Sequence, residues 1–145
     1  MKKLVLTLAI AVSTLCAFAR EVNVSDKVLK SFNTEFTSAK EVEWSISKDF
    51  YKASFIYNGN YVYAFYGMDD ELVAVTRNIS PSDLPINLQT TIKKSYSDYW
   101  VSDLFELNNP DGTSYYITLE NADTKLVLKS EAGAAWGNYK KVNKS

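Results

Sequence analysis

Any chemistry in this chain falls to carboxylates, lysines and tyrosines. The sequence contains no histidine, and its one cysteine is Cys16. That removes Ser-His-Asp and Cys-His nucleophiles, imidazole or thiolate zinc sites, haem ligation and paired disulfides. Among the acids, Asp103, Glu106 and Glu120 fall where neighbouring strands could bring carboxylates together for general acid-base work. No spacing singles out a pair, and solvated strand faces account for all three equally well. Asp69-Asp70-Glu71 follows Gly67-Met68 but lacks the alternating oxygen ligands and turn glycine of a calcium loop, so a plain hairpin turn is the simpler reading. The sequence therefore assigns no catalytic residue, no metal ligand and no cofactor.

What remains is recognition by aromatic side chains. The chain holds 10 tyrosines, 7 phenylalanines and 3 tryptophans. Lys52, Tyr61, Tyr63 and Phe65 fall on one side of a predicted hairpin and form a candidate protein-binding face, since tyrosine adds large contact area at little rotamer cost. Packing against a neighbouring strand is the alternative for the same rings. Trp100, Tyr116 and Trp136 are a second candidate patch, as interface anchors or a sugar-stacking platform. Structural packing competes there too.

The elements that must position these residues follow from periodicity. Ser25 stands ready to cap a helix over Ser25–Phe36, whose Val28, Leu29, Phe32 and Phe36 recur at three-to-four spacing. Val42, Trp44 and Ile46 alternate with polar residues as in a half-buried strand. Phe50–Tyr57 and Asn60–Tyr66 flank Asn58-Gly59, the dipeptide best suited to a two-residue type I′ turn. That turn sets Tyr57 opposite Asn60, Phe55 opposite Val62, Ala53 opposite Ala64 and Tyr51 opposite Tyr66, on the side suited to a helix. Leu72–Arg77 continues the meander, and Asn78-Ile79-Ser80-Pro81 closes it.

Pro85 pre-sets a second helix over Pro85–Tyr96, with Leu88, Ile92 and Tyr96 on one stripe. Trp100–Leu107, Ser114–Glu120, Lys125–Ser130 and Ala135–Val142 follow as strands between turn-forming segments. The prediction is an α+β fold of two tandem repeats, about 24–79 and 80–145, each a helix on a four-stranded antiparallel meander. Phe32, Phe36 and Trp44 align with Ile92, Tyr96 and Trp100 in that repeat. Each helix then covers one face of its meander and leaves the opposite face open.

The start of the chain reads as a leader. Met1-Lys2-Lys3 is a positive n-region, Leu4–Leu15 is apolar and uncharged, and Ala17-Phe18-Ala19 is a small-x-small site, so residues 1–19 are expected to be a signal peptide cleaved after Ala19. The apolar run is shorter than the roughly 20 residues a spanning helix needs. Leu15 before Cys16 does not suit lipid attachment. Beyond Ala19 the chain carries 14 basic against 17 acidic side chains, with no clustered basic face for nucleic acid. A single domain over 20–145 is expected, without a membrane association after cleavage.

Several segments carry a family likeness. Lys52-Ala53-Ser54-Phe55-Ile56-Tyr57-Asn58-Gly59, Tyr63-Ala64-Phe65-Tyr66, Ile79-x4-Leu84-Pro85, Asp111-Gly112-Thr113-Ser114-Tyr115-Tyr116 and Leu126-x-Leu128 resemble the β-lactamase-inhibitor-like, PepSY-like exported proteins of Bacteroidetes. The likeness covers essentially everything after residue 19; its most specific parts are the Ala-x-Phe-x-x-Asn-Gly hairpin and the Leu-Pro helix start. It implies two helix-plus-four-strand repeats, a periplasmic or extracellular location, and no established activity. PepSY domains are suspected of restraining peptidases. The β-lactamase inhibitors themselves use a concave sheet face and an acidic hairpin loop, but they carry disulfides that this chain lacks. None of their contact residues transfers by motif, so β-lactamase is not the expected partner.

The expected function is that of an exported, non-catalytic binding protein, an inhibitor or modulator of an envelope or extracellular enzyme, with an unidentified protein partner. A carboxylate-based hydrolase or glycan-binding accessory protein is one alternative. A structural domain that self-associates is another.

Overall fold

The computed structural model describes residues 22–145. The leader expected over residues 1–19 lies outside them. The elements run α1 (Asp26–Glu35), β1 (Lys40–Ile46), β2 (Phe50–Tyr57), β3 (Asn60–Gly67), β4 (Leu72–Asn78), a short 3₁₀ turn (Pro81–Asp83), α2 (Ile86–Ser95), β5 (Trp100–Asn109), β6 (Gly112–Glu120), β7 (Thr124–Glu131) and β8 (Gly137–Asn143). The fold is α+β, with eight antiparallel strands in one sheet, ordered β1 to β8. Every strand therefore pairs with its neighbour in sequence.

Local chemistry explains most boundaries. Asn58 and Gly59 take φ of +50° and +78°, as a type I′ turn requires, and the hairpin register is the one the turn dictates, from Tyr57 opposite Asn60 to Tyr51 opposite Tyr66. Ser25 precedes α1, but its side chain makes no capping hydrogen bond; its backbone carbonyl accepts from Leu29 N–H instead. Pro85 stands one position before α2 rather than in its first turn, and its carbonyl accepts from Leu88 and Gln89 N–H. The 3₁₀ turn ahead of it is held by Ser80 and Asp83, whose carboxylate accepts from Ser80 N–H at 2.8 Å.

Two cores form on the same side of the sheet. Val28 and Phe32 of α1 pack on Ala53, Phe55, Val62, Ala64 and Tyr66. Leu88 of α2 packs with Leu84 on Leu104, Ile117, Leu119, Leu126 and Leu128. Burial of each large side chain here stabilises by roughly 1.5–3 kcal/mol. Trp44 meets Phe32 edge-on at 5.2 Å. β1 and β5 begin 60 residues apart, so Lys40 is level with Trp100, and Trp44 with Leu104. The expected match of Trp44 with Trp100 is thus displaced by four residues, while Phe32 and Ile92 do occupy the same helical position.

The two halves meet at the β4–β5 pairing, which spans Val75–Asn78 against Phe105–Asn108. At this seam Arg77 Nε and Nη2 donate to the two carboxylate oxygens of Glu106 at 3.1 and 3.2 Å, and Asn108 Nδ2 adds a third bond at 2.8 Å.

Candidate binding face

Strand alternation sorts the open face from the helix face. On the open face of β2 and β3 stand Lys52, Ser54 and Ile56 beside Tyr61, Tyr63 and Phe65, as the hairpin register demands. From β4 and β5 come Ala74, Phe105 and Leu107, and from β6 Tyr116. Among the described residues both helices pack on the other side.

A third apolar cluster nonetheless forms on the open face. Phe65, Ala74 and Leu107 are only 5–8% exposed, ringed by Phe50, Tyr63, Phe105 and Tyr116. With no helix above them, their cover comes from side chains of the same face. Phe50 meets Phe65 edge-on at 5.5 Å, and Phe105 stacks on Tyr116 at 5.0 Å and 9°. These geometries suit aromatic quadrupoles. The result is a packed aromatic floor rather than a field of free rings.

Lys52, Tyr61, Tyr63 and Phe65 therefore divide. Tyr61 is 65% exposed and Tyr63 half-buried, with the Lys52 ammonium 4.4 Å from its ring centroid. Phe65, expected on the recognition surface, belongs to the floor. Burial lowers the Lys52 ammonium below its ordinary pKa.

Trp100, Tyr116 and Trp136 do not form one patch. Tyr116 lies in the floor. Trp100, 53% exposed, sits at the start of β5 with the Lys144 ammonium 4.8 Å from its ring centroid. Trp136 is on the opposite side, packed in the α2 core, where its Nε1–H donates to the Leu88 carbonyl at 3.2 Å. It precedes β8 instead of lying within it. A register shift near Val127 and Leu128 puts Tyr139 in its stead, edge-on to Tyr116 at 5.4 Å and 50% exposed. Periodicity could not place a ring beside a bulge.

The candidate carboxylates are tied up separately. Glu106 is on the helix side with Arg77. Burial alone would raise its carboxyl, but hydrogen bonds from Arg77 and Asn108 outweigh that and hold it below the ordinary range. Glu120 accepts from Lys125 and Lys144, both at 3.2 Å. Asp103 accepts from Asn78 Nδ2 at 3.4 Å. Asp69-Asp70-Glu71 forms the β3–β4 turn, closed by Gly67 N–H on the Glu71 carbonyl. No group of three acids among the described residues is arranged for a metal ion. Two shallow concavities of about 260 Å³, one between Leu72–Val75 and Asn108–Pro110 and one at Leu84 and Ile92, contain no Asp or Glu.

Solved structures share this arrangement. A BLIP-like protein from Bacteroides fragilis NCTC 9343 superposes with a TM-score of 0.75 at 19% identity, over 86% of this chain and 90% of that one. The fold is BLIP-like. A DUF2874 family protein from Bacteroides ovatus ATCC 8483 gives 0.74 at 18% identity, over 84% and 89% of the two chains. A proposed periplasmic protein from Bacteroides eggerthii DSM 20697 gives 0.73 at 17%, over 84% and 90%. No protein-family model matches the sequence, nor does any curated protein. The expected likeness to β-lactamase-inhibitor-like proteins of Bacteroidetes is borne out as a BLIP-like fold. No described helix is long and apolar enough to cross a membrane.

Proposed function

We propose that this chain is an exported, non-catalytic binding protein that modulates an envelope or extracellular enzyme through its uncovered sheet face. The observation that carries this reading is the asymmetry of the sheet: both helices cover one side, while the other keeps Tyr61, Trp100 and Tyr139 at least half exposed around a rigid aromatic floor. Eight strands at about 4.8 Å spacing give a face about 34 Å wide. That accommodates the roughly 800 Å² each partner contributes to a standard interface. Exposed tyrosine and tryptophan at the margins supply contact area, and a pre-packed floor spares the ordering cost of loose side chains.

The leader-like sequence of residues 1–19 and the proposed periplasmic neighbour support export. The 60-residue offset shared by α1 with α2 and β1 with β5 supports a PepSY-like pair of repeats.

Affinity capture from envelope and culture fluid tests the binding reading, with the native protein, a Tyr61→Ala/Tyr63→Ala variant and an Ile86→Ala variant as baits. Ile86 is 79% exposed on the helix side. A partner held by native and Ile86→Ala baits but lost by the tyrosine variant supports the face. Retention by all three moves the site elsewhere.

A further inference from the structure

The lysines of the uncovered face are not spread evenly. Lys40 and Lys52 lie on the β1–β2 flank, and Lys125, Lys129 and Lys140 lie on the β7–β8 flank, joined by Lys144. Three ammonium groups sit on aromatic rings of this face: Lys52 on Tyr63, Lys129 on Tyr116 and Lys144 on Trp100. Between the flanks the floor is apolar and aromatic. Glu131 pairs with Lys129 at 2.6 Å, and Glu120 serves Lys125 and Lys144. Lys40, Lys52 and Lys140 are different. Among the described residues, no carboxylate comes within 4.0 Å of these three ammonium groups.

Lys52 is the most telling of the three, since Lys40 and Lys140 are exposed. It is half-buried in mid-strand, and its ammonium has lost water without gaining an anion. Partial burial of a charge is unfavourable unless a counter-charge arrives. The chain as a whole is acidic, with formal charge −1, so unmatched cations on both flanks of an apolar floor run against its overall charge.

We propose that the face docks an acidic segment of a protein, which places one carboxylate on Lys52, another on Lys140, and apolar side chains over the floor between them. This rests on the binding reading above. A protein segment fits better than an acidic glycan because sugar stacking needs free ring faces. Here Lys52, Lys129 and Lys144 lie over rings, and Phe105 and Tyr116 cover each other. Outside Tyr61 and Tyr139, edges and ammonium groups are what these rings present. Complementary charge of this kind sets orientation and association rate.

The test is amide NMR on the protein as processed by an exporting host. The probes are an acetylated, amidated peptide of alternating glutamate and tyrosine, its glutamine counterpart, and a polygalacturonate oligomer. The glutamate peptide is expected to shift amides of β2, β3, β7 and β8, and to bind roughly tenfold more weakly to Lys52→Gln/Lys140→Gln. Lys52→Arg/Lys140→Arg keeps both charges and is expected to bind within about twofold of the native protein. Equal binding of the glutamine peptide, or an unchanged affinity in the glutamine variant, overturns the proposal. Shifts produced by polygalacturonate alone assign the face to a glycan and also overturn it. The two readings fail separately: a captured partner lost by Tyr61→Ala/Tyr63→Ala but kept by Lys52→Gln/Lys140→Gln leaves the binding face standing and removes the acidic partner.

Discussion

Phe65→Ala distinguishes a packed floor from a free recognition surface. Phe65 is 5% exposed, although neither helix covers its face, and its ring meets Phe50 edge-on at 5.5 Å. Truncating a buried phenylalanine costs about 3–5 kcal/mol, through lost transfer energy and the cavity left behind. The low end applies here, because the void lies one side-chain layer from solvent and Tyr63 and Phe105 can settle into it. About 3 kcal/mol is therefore expected, of which roughly 0.5–1.5 kcal/mol belongs to the aromatic pair. That is a large share of the 5–15 kcal/mol typical of a domain, and corresponds to a Tm lower by about 10 °C. Urea unfolding followed by tryptophan fluorescence measures it, with Tyr61→Ala expected within about 0.5 kcal/mol of native. A loss below about 1 kcal/mol for Phe65→Ala, at unchanged m, would refute the self-packed floor and return Phe65 to the recognition surface.

Three further outcomes follow from named contacts. Trp136→Phe removes the bond to the Leu88 carbonyl and is expected to cost about 1 kcal/mol in urea unfolding, while Trp100→Phe, at an exposed site, leaves stability unchanged. Tyr66 is fully buried, and its hydroxyl has no partner within hydrogen-bond geometry among the described residues; burial, with the nearby Glu35 carboxylate, pushes it up to about 12 against a smaller opposing effect of Ser31. Tyr66→Phe is therefore expected to raise stability by about 1 kcal/mol, read as a higher urea midpoint. Because the folded-state pKa of Glu106 is depressed, its contribution is present above the unfolded value near 4.5 and lost as pH falls through the folded one. Glu106→Gln should lower stability at pH 7 by about 1 kcal/mol and flatten the decline below about pH 4.5, in unfolding curves taken between pH 2 and 7.

The hairpin was the most legible part of the sequence. Asn58-Gly59 demands positive φ at both positions, and that single requirement sets the register, and with it the face, of every residue from Phe50 to Gly67. The two helices were legible from apolar spacing because each has one partner surface. Other features were written in no local pattern. Alternation assigns Phe65 to a face, but its burial depends on Phe50 at the hairpin's open end and on Leu107, which arrives across the β4–β5 seam. The exchange of Trp136 for Tyr139 turns on a bulge, which reverses parity without a glycine to announce it. The misplaced match of Trp44 with Trp100 has another origin: residue type is a poor guide where two helices carry similar stripes but different strand openings. Lys52 was singled out for its face, whereas its lack of a counter-charge emerges only when the neighbouring strands are in place.

The short β4–β5 seam also bears on how the molecule folds. Seven strand pairings join neighbours in sequence, and six of them close only a turn or short loop. The β4–β5 pairing alone must first enclose the 3₁₀ turn and α2, and it is rewarded with just four residue pairs. Loop closure is therefore least favourable where the gain is smallest. Hairpins form in microseconds, so each helix-and-meander half is expected to assemble early and the seam late. Substitutions at Thr76 or Leu107 should then speed unfolding more than they slow folding. In native-state hydrogen exchange, the amides between β4 and β5 should open at lower free energy than those of β2–β3 or β6–β7. A sheet that is continuous in space would behave in time as two foldons sharing one narrow hinge.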